Sequence, residues 1–390
     1  MTDFGLSEEH RELRDTVRRF AQDKVAPVIG ELYEKHEFPY DLVRQMGAMG
    51  LFGLPFPATV PGADGDLEIG GMDGDYLALC LVLEELARVD SSLSITLEAA
   101  ISLGAMPIYK YGTDEQKRRW LPRLLRGEAL AGFGLTEPGA GSDAGGTRTT
   151  ARLSEDGTEW IINGTKSFIT NSGTTMTCLV TVTALTGPDE ISSIIVPSGT
   201  PGFTVAPGYS KVGWCASDTH ELTFVDCRVP VDNLLGKRGR GFAQFLHILD
   251  EGRIAIAALA TGLAQGCVDE SLKYATQREA FGHTIGSYQA IQFMIADMET
   301  RAHTARLAWR DAAQRLVAGE PFKRQAAIAK LHASTVAVDN ARAGTQIHGG
   351  YGFMNEFPVS RMWRDSKILE IGEGTSEVQR MIIARDLGLA

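Results

Sequence analysis

The stretch ILEIGEGTSEVQR, residues 368–380, sets one carboxylate, Glu373, between Gly372 and Gly374 at the end of an apolar run. Glycines on both sides leave space beside the acid for another molecule. A carboxylate withdrawn from water becomes a stronger base than one near the ordinary pKa of about 4.3. The plainer reading is an acid that complements a helix N-terminus, because Ser376 and Gln379 have the spacing of a capping box and predict a helix from about Glu377.

Other stretches offer binding groups. TEPGAGSDAGGT, residues 136–147, joins glycines that admit close backbone approach to hydroxyls that hydrogen-bond. Its G-x-G-x-x-x-G spacing, without a strand–turn–helix unit around it, is not a dinucleotide fingerprint, and a surface loop is an equal reading. In KSFITNSG, residues 166–173, Phe168 can cover a flat ring and Thr170 can bond its edge; a strand end with a turn at Asn171, Ser172 and Gly173 accounts for the same residues. In REAFGHTIGSYQAIQF, Arg278 ends a long helix, where a cation suits the macrodipole, and its guanidinium also suits a pyrophosphate. In QIHGGYGF, Gly349 and Gly350 read as a helix C-cap.

The elements that must position these groups fall into three regions. Residues 1–128 read as helical. Ser7 is a candidate N-cap ahead of Glu8 and Glu9, with Leu13, Val17, Phe20 and Ala21 on one face and Pro27 closing the run. Residues 76–89 are apolar nearly all round and predict a buried helix, and residues 113–116 form a capping box. Residues 129–236 hold short β-type runs separated by turn residues, which predict an antiparallel sandwich or barrel. Residues 237–390 hold long helical runs, 242–277, 289–317 and 321–346, which predict a four-helix bundle. The expected fold class is α+β multidomain, in the order helical, β, helical.

Bulk properties narrow the function. The 390 residues are 44% apolar and 22% charged, as in an ordinary globular protein. A net charge of −11 argues against nucleic-acid binding. Five scattered cysteines without a C-x-x-C pair fit reduced thiols, and the eight dispersed histidines show no metal spacing, so no metal is expected. No run reaches the ~18 apolar residues of a membrane span. The start, MTDFGLSEEH, lacks the order of a secretory signal. A cytoplasmic protein is expected.

Taken together, FGLTEPGAGSD, NGTKSFITN, LDEGR at 249–253, REAFG with SYQAIQF, and QIHGGYGF with RDSKILEIGEGTSEVQ resemble the acyl-CoA dehydrogenase family, in the family's order and across essentially the whole chain. The resemblance implies FAD bound between the middle and C-terminal regions, and oxidation of an acyl-CoA thioester to its trans-2-enoyl form. It makes Glu373 the base that takes the α-proton while a hydride passes to flavin N5. It places the stretch from Phe133 to Ser142, with Leu135, Thr136 and Gly141, along the flavin, and Phe168, Ile169 and Thr170 on its ring. Arg278, Phe281, Gln289, Gln346, Ile347, Gly349 and Gly350 fall on the pyrophosphate and adenosine side, and Thr375 and Glu377 also meet FAD. Ser142, Asp250, Arg253 and Gly374 fall on the acyl-CoA side.

The same resemblance implies a homo-oligomer, a dimer at least and commonly a tetramer, with an electron-transfer flavoprotein as acceptor. Many relatives carry tryptophan where this chain has Phe168, which leaves stacking intact and removes an indole from the electron exit. Some relatives place the base on the helix of LDEGR, where this chain has Gly252. The competing acids are Glu370 and Glu251. The basic loop GKRGRG, with Lys237, Arg238 and Arg240, is a solvated linker or a contact for the CoA 3′-phosphate. Oxidases, monooxygenases and desulfinases on the same fold are the alternative activity. Pocket depth falls to residues such as those at 93–101 and Leu246, and Trp214 narrows a cavity or fills core.

Overall fold

A computed structural model describes residues 5–389. The N-terminal region is built from helices Glu8–Phe20 (α1), Ala26–Lys35 (α2), Tyr40–Ala48 (α3), Tyr76–Ala87 (α4), Ser91–Glu98 (α5), Met106–Tyr111 (α6) and Asp114–Leu125 (α7). Ser7 caps α1 and Thr113 caps α7, the latter through the expected box with Gln116. Pro27 does not close the first run. The chain stays helical through a π-helical turn, Ala21–Val25, directly into α2, and Pro27 sits just after that turn, where the hydrogen-bond register changes. A short hairpin, Thr59–Val60 (β1) with Leu67–Glu68 (β2), lies between α3 and α4.

Helix α4 is buried along its whole length, as its all-round apolar sequence requires. A second π-helical segment, Ala99–Ala105, joins α5 to α6. The continuous stretch Ser91–Tyr111 is long and apolar enough to cross a membrane, contrary to the sequence expectation, but 94% of its most apolar window lies buried inside the fold.

The middle region contributes Leu130–Gly134 (β3), Thr150–Leu153 (β4), Glu159–Thr170 (β5), Thr177–Gly187 (β6), Glu190–Pro197 (β7), Phe203–Val205 (β8), Thr219–Pro230 (β9) and Leu234–Leu235 (β10). They form one sheet in the order β10-β7-β6-β4-β5-β9-β8, with β3 on β6. Most pairings are antiparallel, as the turn-separated runs predict, but β3 and β4 each run parallel to β6, so the sheet is mixed. It has its own core of Trp160, Ile162, Val180, Val182, Leu222 and Phe224.

The C-terminal region holds Gly241–Gln277 (α8), Gln289–Val317 (α9), Lys323–His348 (α10), Pro358–Ser366 (α11) and Ser376–Asp386 (α12), with the small hairpin Glu279–Ala280 (β11) and His283–Thr284 (β12) after α8. Helix α8 is buried almost continuously from Glu251 to Val268 and packs on α4, α9 and α10. The N-terminal and C-terminal helices therefore share one core.

A buried polar cluster ties the three regions together. Asp365 on α11 accepts hydrogen bonds from the Tyr33 hydroxyl at 2.5 Å, the Ser91 hydroxyl at 2.6 Å and the Trp214 backbone N–H at 2.7 Å. The Trp214 indole donates to Ser91 at 3.1 Å. Trp214 is thus part of an inter-region joint, held at φ +51°. That left-handed conformation is strained for a bulky side chain and persists because its surroundings over-determine it.

Candidate active site

Glu373 sits in the turn between α11 and α12 with φ +52°, between Gly372 and Gly374, the latter at φ +93°. The residue as a whole is half-buried, but both carboxylate oxygens are buried and receive no hydrogen bond from a protein donor. Burial raises its pKa; a contact with Glu98 and the charges of Lys330 and Arg253 oppose the rise. The backbone N–H of Glu373 has no acceptor among the described residues.

The loop around it is held from several sides. The Lys330 ammonium on α10 donates to the Gly374 carbonyl at 2.7 Å, and the Gln379 amide donates to the same oxygen at 2.8 Å. The Ser334 hydroxyl donates to the Leu369 carbonyl at 2.7 Å. Lys330 is fully buried, which pushes its pKa down to about 8. Helix α12 begins one residue earlier than the sequence indicates. Thr375 is the cap, its hydroxyl accepting from the Val378 N–H at 3.3 Å, and Gln379 holds Gly374 instead of closing a box with Ser376.

A side chain at 252 would displace the acid. A β-carbon there would lie 2.6 Å from Glu373 Oε2 and 3.7 Å from Glu98 Oε1. Helix α8 therefore passes directly behind the acid, and the glycine leaves the space that the carboxylate uses. The competing acids are engaged elsewhere. Glu370 accepts from Lys367 at 2.6 Å, and Glu251 pairs with Lys110.

Thr136 and the glycine-rich loop after it are fixed by a buried ion pair. Lys166 Nζ reaches Glu137 Oε1 at 2.8 Å, the Thr183 hydroxyl at 3.0 Å and the Leu135 carbonyl at 3.2 Å. Glu137 also accepts from the N–H groups of Arg148 and Thr149. Beyond this anchor Gly141 and Ser142 are exposed, and β-carbons on Gly139 and Gly141 would meet nothing within 4 Å. Phe133 is buried and stacks on Phe245 of α8 at 3.8 Å, and Leu135 is buried beside it in sequence.

Phe168 is 65% exposed at φ +61°, a conformation costly for an aromatic residue, while Ile169 beside it is buried and Thr170 is partly so. Asn171, also at positive φ, donates its amide to the Thr96 carbonyl at 2.9 Å. This bond anchors the end of β5 to the helix that ends in Glu98. The sequence places KSFITN and GEGT far apart; α5 brings them to one place.

A cavity of about 540 Å³ is lined by Tyr274, Arg278, Ile347, Gly349, Gly350 and Tyr351 among others. Gly349 caps α10 at φ +58°, and β-carbons on Gly349 and Gly350 would meet nothing within 4 Å. Arg278, the C-cap of α8, lies 5.8 Å from the Tyr351 ring centre. Phe281, at 95% exposure, and the exposed Gln289 and Gln346 do not line this cavity.

Other expected residues have different surroundings. Arg253 is buried, pairs with Asp250 and faces Glu373, and Asp250 also meets Lys323 at 3.1 Å. Glu377 is exposed on the first turn of α12. Arg238 of the basic loop is paired with Glu190 at 2.7 Å and donates to the Thr186 carbonyl, so it fastens the loop to the sheet. Sequence reading missed Glu98, Lys330, Ser334 and Gln379 as parts of the site. The lone acid in the uncharged stretch of α5 is the signal that could have found Glu98; α10 carries several other charged residues, and Lys330 does not stand out among them.

Three family models match consecutive parts of the chain: acyl-CoA dehydrogenase, N-terminal domain, over residues 7–128; middle domain, over 132–227; and C-terminal domain, over 239–388. A probable acyl-CoA dehydrogenase, YngJ, of Bacillus subtilis is 46% identical over 389 residues, 98% of this chain and 99% of the relative. A short-chain specific acyl-CoA dehydrogenase of Clostridium acetobutylicum is 41% identical over 384 residues, 98% of each chain. Among solved structures, a chain from work on the electron transferring flavoprotein of Acidaminococcus fermentans and flavin-based electron bifurcation superposes with TM-score 0.93 at 41% identity, covering 99% of both chains. An acyl-CoA dehydrogenase of Bacillus anthracis complexed with FAD superposes with TM-score 0.92 at 33% identity, over 99% of this chain and 68% of the other.

Proposed function

The chain belongs to the acyl-CoA dehydrogenase family, and from that premise we propose that it catalyses the FAD-dependent α,β-dehydrogenation of an acyl-CoA thioester to the trans-2-enoyl-CoA, with Glu373 as the base. The observation that carries this reading is the placement of Glu373: its two oxygens are buried, unclaimed by a protein donor and backed by a glycine on the neighbouring helix. A short acyl chain is the substrate class favoured by the short-chain specific relative.

The residues present suit FAD. The open glycines 139 and 141, the exposed ring of Phe168 and the Thr170 position offer a surface for a flat ring system. The cavity of Arg278, Gly349 and Gly350 suits a pyrophosphate, through a guanidinium and close backbone approach. Phe281, Gln289 and Gln346 face outward, which fits a cofactor contact with a second copy and a dimer as the smallest holoenzyme. FAD, when bound, supplies the acceptor for the hydride lost from the substrate β-carbon.

The protein's part is to remove the α-proton and to hold the thioester while it does so. An α-proton next to a thioester is weakly acidic, so charge must be stabilised on the carbonyl oxygen as the proton leaves. The Glu373 N–H, which has no acceptor among the described residues, is one donor for that oxygen. Burial keeps the carboxylate basic, and the Lys330 and Gln379 bonds to Gly374 keep it aimed. An electron-transferring flavoprotein is the partner that would accept the electrons.

The test is anaerobic mixing of the FAD-loaded protein with a panel of acyl-CoA esters. Bleaching of the flavin with formation of the 2-enoyl ester is expected, strongest for short chains. Glu373→Gln should stay folded and yellow and lose bleaching by ~10²–10⁴-fold or more. Reduction of that variant at the wild-type rate overturns the assignment of the base.

A further inference from the structure

Glu98, at the C-terminal end of α5, is fully buried, and neither of its oxygens receives a hydrogen bond from a protein donor. It shares this condition with Glu373. Both acids border the gap left by Gly252, where a β-carbon would lie 2.6 Å from one and 3.7 Å from the other. Two carboxylates cannot both be ionised at close quarters in a buried space without a large electrostatic cost. A single shared proton removes that cost and gives each group the hydrogen bond it otherwise lacks.

We propose that Glu98 is a positioning residue for the base: it enters the reaction as a neutral carboxylic acid, donates a hydrogen bond to the Glu373 carboxylate, and keeps the pair at one negative charge. This rests on the reading of Glu373 as the base.

The surroundings decide which member holds the proton. Facing Glu373 are the cations Lys330 of α10 and Arg253 of α8, which favour its ionised form. Facing Glu98 are Tyr76 and Cys80 of α4, whose own ionisation is suppressed by burial, and Ser102; no cation is among them. Burial and the neighbouring Glu373 charge raise the Glu98 pKa well above the ordinary carboxylate value. The π-helical segment that begins at Ala99 displaces the helix register right after Glu98, a distortion often retained at functional sites.

The pairing has a mechanistic consequence. A donor on the Glu373 carboxylate lowers its basicity and pins its rotamer, so the base is ordered before substrate arrives. Taking the α-proton makes both acids neutral, and the negative charge passes from the pair to the substrate as its proton leaves. The proton on Glu98 is neither consumed nor released in that step.

The experiment uses two variants and one spectroscopic readout. Glu98→Leu removes the donor, which raises the Glu373 pKa; the acidic limb of kcat/KM should move to higher pH by about one unit. Glu98→Gln keeps a donor, and its limb should stay near the wild type. Removing an ionised Glu98 would instead move the limb to lower pH, so a downward shift, or no shift, in Glu98→Leu overturns the proposal. Infrared difference spectra of the unliganded protein should show the C=O stretch of a protonated carboxylic acid at neutral pH, lost in Glu98→Gln. This signal needs no activity, and its absence from the wild type also overturns the proposal should Glu98→Leu fail to fold. An inactive Glu373→Gln beside an unmoved Glu98→Leu limb would sink this inference alone. Full activity in Glu373→Gln would sink the choice of base, leaving the infrared band to report on Glu98.

Discussion

Gly252 and Glu373 lie so close that a β-carbon on the glycine would sit 2.6 Å from Oε2 of the acid. The helix that passes behind the carboxylate can carry no side chain there without moving it. Gly252→Ala should therefore displace the proposed base from its aim, since small misplacements of reacting groups are costly. A fall in kcat of roughly 10- to 100-fold is expected, with overpacking costing about 1–3 kcal/mol of stability. Stopped-flow reduction of the flavin and thermal melting check the two effects separately. A variant with unchanged reduction kinetics would show that the site relaxes around the methyl group.

Lys330 gives a pH dependence of stability with a defined sign. Burial holds its pKa at about 8, below the ordinary 10.5. Between those values the unfolded chain binds more protons than the folded one, so this residue makes stability rise with pH across that window. Below pH 8 its contribution is constant and unfavourable. The stability of the wild type relative to Lys330→Met should therefore climb from pH 8 towards 10.5, as measured by denaturant unfolding of both proteins. Loss of this cation also removes a charge that favours ionised Glu373, so the acidic limb of kcat/KM should move to higher pH in the variant.

Lys166 and Glu137 form a buried pair beneath the loop that begins at Thr136. Lys166→Met leaves Glu137 without its cation in a site of low exposure. Breaking one partner of such a pair costs about 3–5 kcal/mol. The loop with Gly141 and Ser142 should loosen at the same time. Melting experiments should show the loss of stability, and ultrafiltration should show that FAD is retained less well.

Arg278 tests the cavity it shares with Gly349 and Gly350. If it holds the cofactor pyrophosphate as proposed, alanine there removes a charge-assisted contact, a class worth about 1.5–3 kcal/mol. FAD affinity should fall by roughly 10- to 150-fold, with little change in the melting temperature of the cofactor-free protein. Flavin fluorescence titration measures the first and calorimetry the second. Unchanged affinity would remove Arg278 from the cofactor site.

Much of the local structure was legible in the chain. Ser7 and Thr113 cap the helices that their side chains suit, α4 is buried as its all-round apolar sequence requires, and the turn-separated runs after residue 129 are strands. Where local reading failed, a neighbour in space had the last word. Pro27 looked like a stop and became the first turn of a further helix. Ser376 looked like a cap, but Thr375 took that role while Gln379 turned back to Gly374. Arg238, read as part of a solvated linker or as a contact for a phosphate, is paired with Glu190 on the sheet.

The sequence by itself determined that an acid stands between two glycines ahead of a helix, because backbone permissiveness and capping chemistry act over a few residues. Only the tertiary structure decided what that acid faces. Glu98 and Lys330 come from helices remote in sequence, and Asn171 reaches Thr96 across a region boundary. Spacing within the chain carries no record of such partners. They are chosen by the way buried helices and one sheet edge pack, and that packing sets how strongly a carboxylate pulls on a proton.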